Sequence, residues 1–174
     1  MLLELLIDPT SSIIFQRIKP SKNIMNSKPR NIDESILNRR NIIKSILQGL
    51  LIFIIVFATY TCLIKNNVEL KLSITTTYSI LVLSTMLISY QLKNDKSTLK
   101  NFIDSFNDKV VFAVNFVIII LLGLYIYLPF FNNVANTNPL NLKQWLYVII
   151  STLLAVLPFD LLKIKKYFNN KNTK

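Results

Sequence analysis

The sequence predicts an all-α protein: a polytopic transmembrane helix bundle of about five spans, the first short or incomplete, forming one membrane domain over residues 1–174. Three observations carry that expectation. Apolar runs of about twenty residues recur with short charged connectors between them, where a soluble domain would interleave polar side chains every few positions. The composition is 52% hydrophobic yet holds 20 Lys and Arg against 9 Asp and Glu, so apolar and basic residues must be segregated along the chain. Only two glycines occur, with no Gly/Ser linker and no second soluble domain.

The first apolar stretch, Met1–Phe15 within a span of about 1–16, reaches only about 23 Å at 1.5 Å per residue and contains Glu4, Asp8 and Pro9. It reads as part of a spanning helix. It lacks the basic start of a secretory signal and is read as mature sequence. Four longer runs follow, Ser45–Ile64, Ser73–Leu92, Val110–Phe131 and Trp145–Leu162. Such runs cover about 27–33 Å as helices, matching a hydrocarbon core of about 30 Å. Their backbones must bond internally in lipid, which makes them helices. Pro158 is expected to kink the last one by freeing the carbonyl of Leu154. In the connector 93–109, Leu99, Phe102, Ile103 and Phe106 recur at helical spacing, as in a short amphipathic helix on the membrane surface.

Basic residues set the orientation. Segments 17–44, 93–109 and 163–174 hold 17 of the 20 Lys and Arg, and the two remaining connectors hold 3, so the first three are expected in the cytoplasm together with the carboxy terminus. Five spans then put Met1 outside; if the first stretch is re-entrant, four spans put it inside. Tyr60, Tyr125, Tyr127, Trp145 and Tyr147 gather at the expected outer boundary, Tyr90 and Tyr167 near the inner one, either as interfacial belts or as packing between helices. The basic surplus follows the connectors, so it reports orientation and not nucleic-acid binding.

The chain has no His and a single Cys, Cys62, which excludes disulfide frameworks, His/Cys metal sites and Cys-His catalysis within it. No Gly-rich phosphate loop, nucleophile elbow or His-containing triad is present, so no catalytic residue and no bound cofactor is expected in this chain.

Glu4 and Asp8 are the strongest local signal. One helical turn apart, they face the same way, with Ser11 and Ser12 continuing the stripe. A carboxylate costs about 2.5–3.5 kcal/mol at a bilayer centre on insertion scales, a cost that a cation, a proton or a partner charge would offset. Pro9 cannot bond the carbonyl of Leu5, which leaves a free oxygen between them. Carboxylate, carbonyl and hydroxyl oxygens together suit a hard cation. The alternative puts Glu4 in water at the membrane surface and makes Asp8 the cap of a helix begun by Pro9. The other polar residues within the spans, Gln48, Thr59, Thr85, Ser89, Gln91, Asn115 and Asp160, are expected to bond between helices or to their own backbone. Asp160, followed by Lys163, Lys165 and Lys166, is expected to pair with these local charges.

LELLIDPTSSIIF (Leu3–Phe15) resembles the sixth transmembrane helix of P-type cation-transporting ATPases, where a short acidic or amide pair embraces ions. IMNSKPRNIDESILNRRNIIKSILQGLL (Ile24–Leu51) is similar to the following cytoplasmic loop and the start of the seventh helix. TTTYSILVLSTMLISYQLK (Thr75–Lys93) is similar to the eighth, and the run from Leu124 to Lys166 to the ninth and tenth with their outer loop. The resemblance implies that Glu4 and Asp8 bind the transported cation and that Thr85 falls where some calcium pumps have a carboxylate. Ile7 stands where many relatives have a hydroxyl residue beside the acid, a departure that implies a simplified or differently selective site and leaves the ion open.

The family hydrolyses ATP through an aspartyl phosphate in a DKTG motif, and neither that motif nor the nucleotide and actuator domains occur in these residues. The resemblance therefore implies the carboxy-terminal membrane portion of a pump, as a truncated product, a fragment or one piece of a split pump, with ATP and Mg needed only by the full-length assembly. Its implied partners are the lipid bilayer, an inorganic cation, and the missing amino-terminal part or another membrane subunit; its expected location is the cell membrane. The competing expectations are a stand-alone membrane partner or regulator without enzymatic activity, and a passive channel or carrier subunit.

Overall fold

The computed structural model describes residues 11–17, 39–93, 98–106 and 108–172, and these form helices with no strand among them. In chain order they are α1 (residues 11–16), α2 (Arg39–Lys65), α3 (Leu70–Lys93), α4 (Thr98–Ser105), α5 (Lys109–Tyr127), α6 (Pro129–Ala135) and α7 (Leu142–Asn172). Four of them contain a stretch long and apolar enough to cross a bilayer: Ile42–Lys65, Leu70–Gln91, Lys109–Tyr127 and Leu142–Asp160. The protein is an all-α bundle of membrane-spanning helices.

At the centre lies α3, packed on α2, α4 and α7, with α2 also meeting α7. Ile80, Val82 and Met86 of α3 form a core with Ile14 of α1, Ile118 and Leu122 of α5 and Val148 of α7. Between α3 and α5 the contact runs partly through rings: Tyr78 and Tyr125 pack with centroids 4.6 Å apart. Eight serine and threonine residues line α3 from Ser73 to Ser89, and most donate back to a carbonyl one turn earlier; Thr75 Oγ1 to Lys71 O, Thr76 Oγ1 to Leu72 O and Ser79 Oγ to Thr75 O are each 2.8 Å. Such bonds satisfy hydroxyls where no water reaches them.

Side-chain contacts define the two ends of the bundle. At one end, Arg17, just beyond α1, meets Asp108, the N-cap of α5, at 3.2 Å, and Asp160 of α7 receives the backbone N–H of Thr98 of α4 at 2.7 Å. At the other end, Asn138 donates through its side chain to Glu69 Oε2 at 2.8 Å and through its backbone to Thr75 Oγ1 at 3.0 Å. Tyr127 Oη donates to Leu140 O and receives Trp145 Nε1–H, both at 2.9 Å.

The α2–α3 turn depends on asparagine. Asn67 has φ 55°, Val68 N–H bonds Leu63 O at 3.1 Å, and Asn67 N–H bonds Ile64 O at 3.0 Å. This is the Schellman pattern that closes a helix on a left-handed residue, a place usually taken by glycine and next most readily by asparagine. Asn136, with φ 51°, closes α6 in the same left-handed conformation. In a chain with two glycines, part of the asparagine surplus does glycine's conformational work.

Helix α5 ends four residues before the expected limit of 131. Leu128 is extended, with φ −78° and ψ 124°, and Pro129 starts a separate short helix. Proline has no N–H to continue the helical ladder, and it disfavours helical geometry in the residue before it. In contrast, α7 runs as helix through Pro158.

Candidate cation-site region and the polar interior

Glu4 and Asp8 lie outside the described residues. Ser11, on the same sequence stripe, is described: its hydroxyl lies 3.1 Å from that of Ser89 on α3. Ile14, one turn later, is fully buried, so α1 packs on the bundle by an apolar and a hydroxyl contact. Since Arg17 reaches the end of the bundle where α3 finishes and α5 begins, residues 11–17 and α3 run in the same direction.

Thr85, one turn before Ser89, is half-buried, and its hydroxyl donates to its own helix at Leu81 O and Val82 O, both 2.9 Å. Its proton is used locally, which leaves the oxygen lone pairs as the only chemistry it can offer. Ser89 likewise donates to Thr85 O at 3.2 Å. Both follow the expected bonding to their own backbone. Among the described residues no three His, Cys, Asp or Glu side chains gather into a metal-holding group.

A second polar centre sits where α2, α3, α4 and α7 meet. Asp160, 2% exposed, accepts from the Thr98 backbone N–H at 2.7 Å, from Thr98 Oγ1 at 2.5 Å and from Gln91 Nε2 at 3.3 Å. Gln91 Oε1 in turn accepts from Gln48 Nε2 of α2. Four helices thus share one hydrogen-bonded chain around a carboxylate. Asp160 was expected to pair with the lysines that follow it; the side chains of Lys163, Lys165 and Lys166 lie outside the described residues, and the partners seen reach back 62 and 69 positions. By accepting the first N–H of α4, Asp160 satisfies a donor that a helix start leaves free. That role was hidden in the sequence because donor and acceptor are so far apart.

Of its two expected uses, Tyr90 follows packing between helices. It is fully buried, its hydroxyl accepts from Asn115 Nδ2 of α5, and its ring meets Phe102 of α4 edge-on at 5.4 Å. Asn101 Nδ2 donates to Tyr90 O at 3.1 Å, so α4 is tied to the end of α3 on both its polar and its aromatic side. Tyr127 and Trp145 do meet at the opposite end, as described above.

Arg17 Nη1 donates to both carboxylate oxygens of Asp108 at 3.2 Å, and Asp108 Oδ1 also accepts from Val110 N–H at 3.1 Å. Desolvation alone would raise this carboxyl, but the Val110 bond and the Arg17 guanidinium outweigh it and hold its pKa below the ordinary carboxylate value.

A search of curated proteins finds no match to the chain. The sequence profile described as Cation transporting ATPase, C-terminus, matches residues 1–167, nearly the whole chain. Four membrane-spanning helices, together with a profile match that begins before α1 and ends within α7, identify this chain as a member of that family, the carboxy-terminal transmembrane region of P-type cation ATPases.

Proposed function

We propose that this chain provides the supporting helices and part of the ion site of an ATP-driven cation pump, with Glu4 and Asp8 as the cation-binding carboxylates and Thr85 as a third oxygen donor. The observation that carries this reading is the Ser11–Ser89 contact between two helical segments of the same direction. In sequence Asp8 precedes Ser11 by three residues and Thr85 precedes Ser89 by four, so a parallel pairing there supports a site in which Asp8 and Thr85 share one level. Hydrolysis of ATP with Mg, and phosphorylation, belong in this reading to other parts of a full-length pump.

The span of α2 favours a neighbour. Only 6% of its most apolar window is buried inside the chain, against 50% for α3, which suits docking against the amino-terminal helices of a pump or another membrane subunit. The crowding of 17 Lys and Arg into segments 17–44, 93–109 and 163–174 supports a cytoplasmic placement of these segments and of the carboxy terminus in the cell membrane.

The test is cation affinity in a reconstituted longer pump containing these residues. Glu4→Gln and Asp8→Asn should each weaken binding at least about tenfold, or about 1.4 kcal/mol, and Thr85→Ala less. Unchanged affinity in both carboxylate variants would defeat the site assignment.

A further inference from the structure

α6 is amphipathic. At 3.6 residues per turn, Phe130, Phe131, Val134 and Ala135 fall on one half of the helix, and Asn132 and Asn133 on the other. Phe130 and Val134, one turn apart, are 71% and 72% exposed, and no buried residue lies on this helix. An aromatic and a branched apolar side chain are therefore presented together away from the rest of the chain.

The position of α6 says what covers this face. The preceding span, Lys109–Tyr127, has 19 residues and is about 28 Å long, nearly the full thickness of a hydrocarbon core. The chain then turns at the extended Leu128 and enters α6, so α6 begins at the level where the acyl region ends. Tyr127 holds it there, because its hydroxyl bonds both Leu140 O and the indole N–H of Trp145 and so pins the two ends of the α5–α7 connection to each other. Tyrosine and tryptophan prefer that depth for their amphipathic rings. Leu124, Tyr127 and Leu128, which lead into α6, are also exposed.

The geometry points to α6 as a membrane-interface helix, its Phe130 and Val134 side chains inserted at the headgroup–acyl boundary of the lipid leaflet at the α5–α7 end of the bundle. The helix carries no charge, so its partner is the apolar boundary of a zwitterionic lipid surface and anionic headgroups are not required. This reading is independent of the cation site.

The experiment is depth measurement by spin labelling of the whole chain in phosphatidylcholine vesicles. Cys62 is the single cysteine, so Cys62→Ser gives a clean background into which Phe130→Cys, Val134→Cys or Asn133→Cys is introduced one at a time. Labels at 130 and 134 should collide several-fold more with oxygen, which concentrates in lipid, than with an aqueous nickel chelate; the label at 133 should show the reverse preference. Adding anionic lipid should leave both unchanged. Chelate preference at 130 and 134 would put this face in water, and protection of both from either reagent would put it under a protein partner. Either result overturns the proposal, and if the variant at 130 or at 134 fails to fold, the other still gives the comparison with 133.

Discussion

Helices α2 and α3 are neighbours with opposite designs. The span of α2 has a mean hydropathy of 2.3 and is almost bare, whereas that of α3 has 1.5 and is half buried. The less apolar helix is thus the one in the middle, the inverse of a water-soluble bundle. Lipid tails are as apolar as leucine, so nothing drives apolar side chains away from them. Close approach and hydrogen bonds between helices decide what goes inside. Ser73, Thr76, Ser79 and Ser84 of α3 are buried because they are small, and large side chains such as Phe53 and Phe57 of α2 face outward, stacked on each other at 5.9 Å.

The largest departure from this arrangement is expected at Asp160. Asp160→Ala leaves the Thr98 N–H, the Thr98 hydroxyl and the Gln91 amide without their shared charged acceptor, a loss of about 3 kcal/mol. Unfolding by SDS titration in mixed micelles would measure it, and amide exchange at Thr98 should accelerate with it; an unchanged midpoint would show that the polar junction does not hold the bundle together. Next is the direct contrast between the two helices. Ser79→Leu, at a fully buried position on α3, should cost about 1–3 kcal/mol by overpacking. Phe53→Leu on α2 should fall within about 0.5 kcal/mol of the parent. Equal effects in the same titration would mean that α2 is packed as closely as α3.

The smallest effect is a pH dependence at the rim. Because the Asp108 carboxyl is held below its ordinary value, the contact with Arg17 favours the fold at every pH above the unfolded carboxylate value, near about 3.9. That contribution fades as the pH falls through the lower, folded value. Arg17→Gln should flatten stability against pH in this acidic window and leave it little changed at neutral pH. A profile identical to that of the parent would remove the contact from the account.

The spans are legible in the sequence because twenty-residue apolar runs have no other stable use, and the short helix after α3 is legible from the spacing of Phe102, Ile103 and Phe106. The end of α5 is also written there, in Pro129, although hydropathy alone carries the run on to Phe131. What periodicity does not contain is pairing at long range. Nothing around Asp160 indicates that Thr98 will cap α4 on it, and nothing around Tyr90 indicates that Asn115 will meet its hydroxyl. Asn67 and Asn136 are hidden for another reason: asparagine is so common in this chain that two of them in left-handed turns do not stand out from the rest. Of the candidate site, Thr85 is placed and committed to its own helix, Ser11 meets Ser89 of α3, and Glu4 and Asp8 lie outside the described residues.

The lacing of α7 to α3 at both ends has a mechanical consequence. Near its start, the connection to α7 is tied at Asn138 to Thr75 and Glu69; near its end, Asp160 is tied to Gln91 and Thr98. Sliding one helix past the other would have to break both sets together, and the second includes a buried carboxylate. Tilting the pair as a unit breaks neither. A push delivered at one rim therefore reaches the other as a rigid rotation, with α3 and α7 behaving as one lever arm and the softer hydroxyl contact between Ser11 and Ser89 as the place where a neighbouring helix can shift against it.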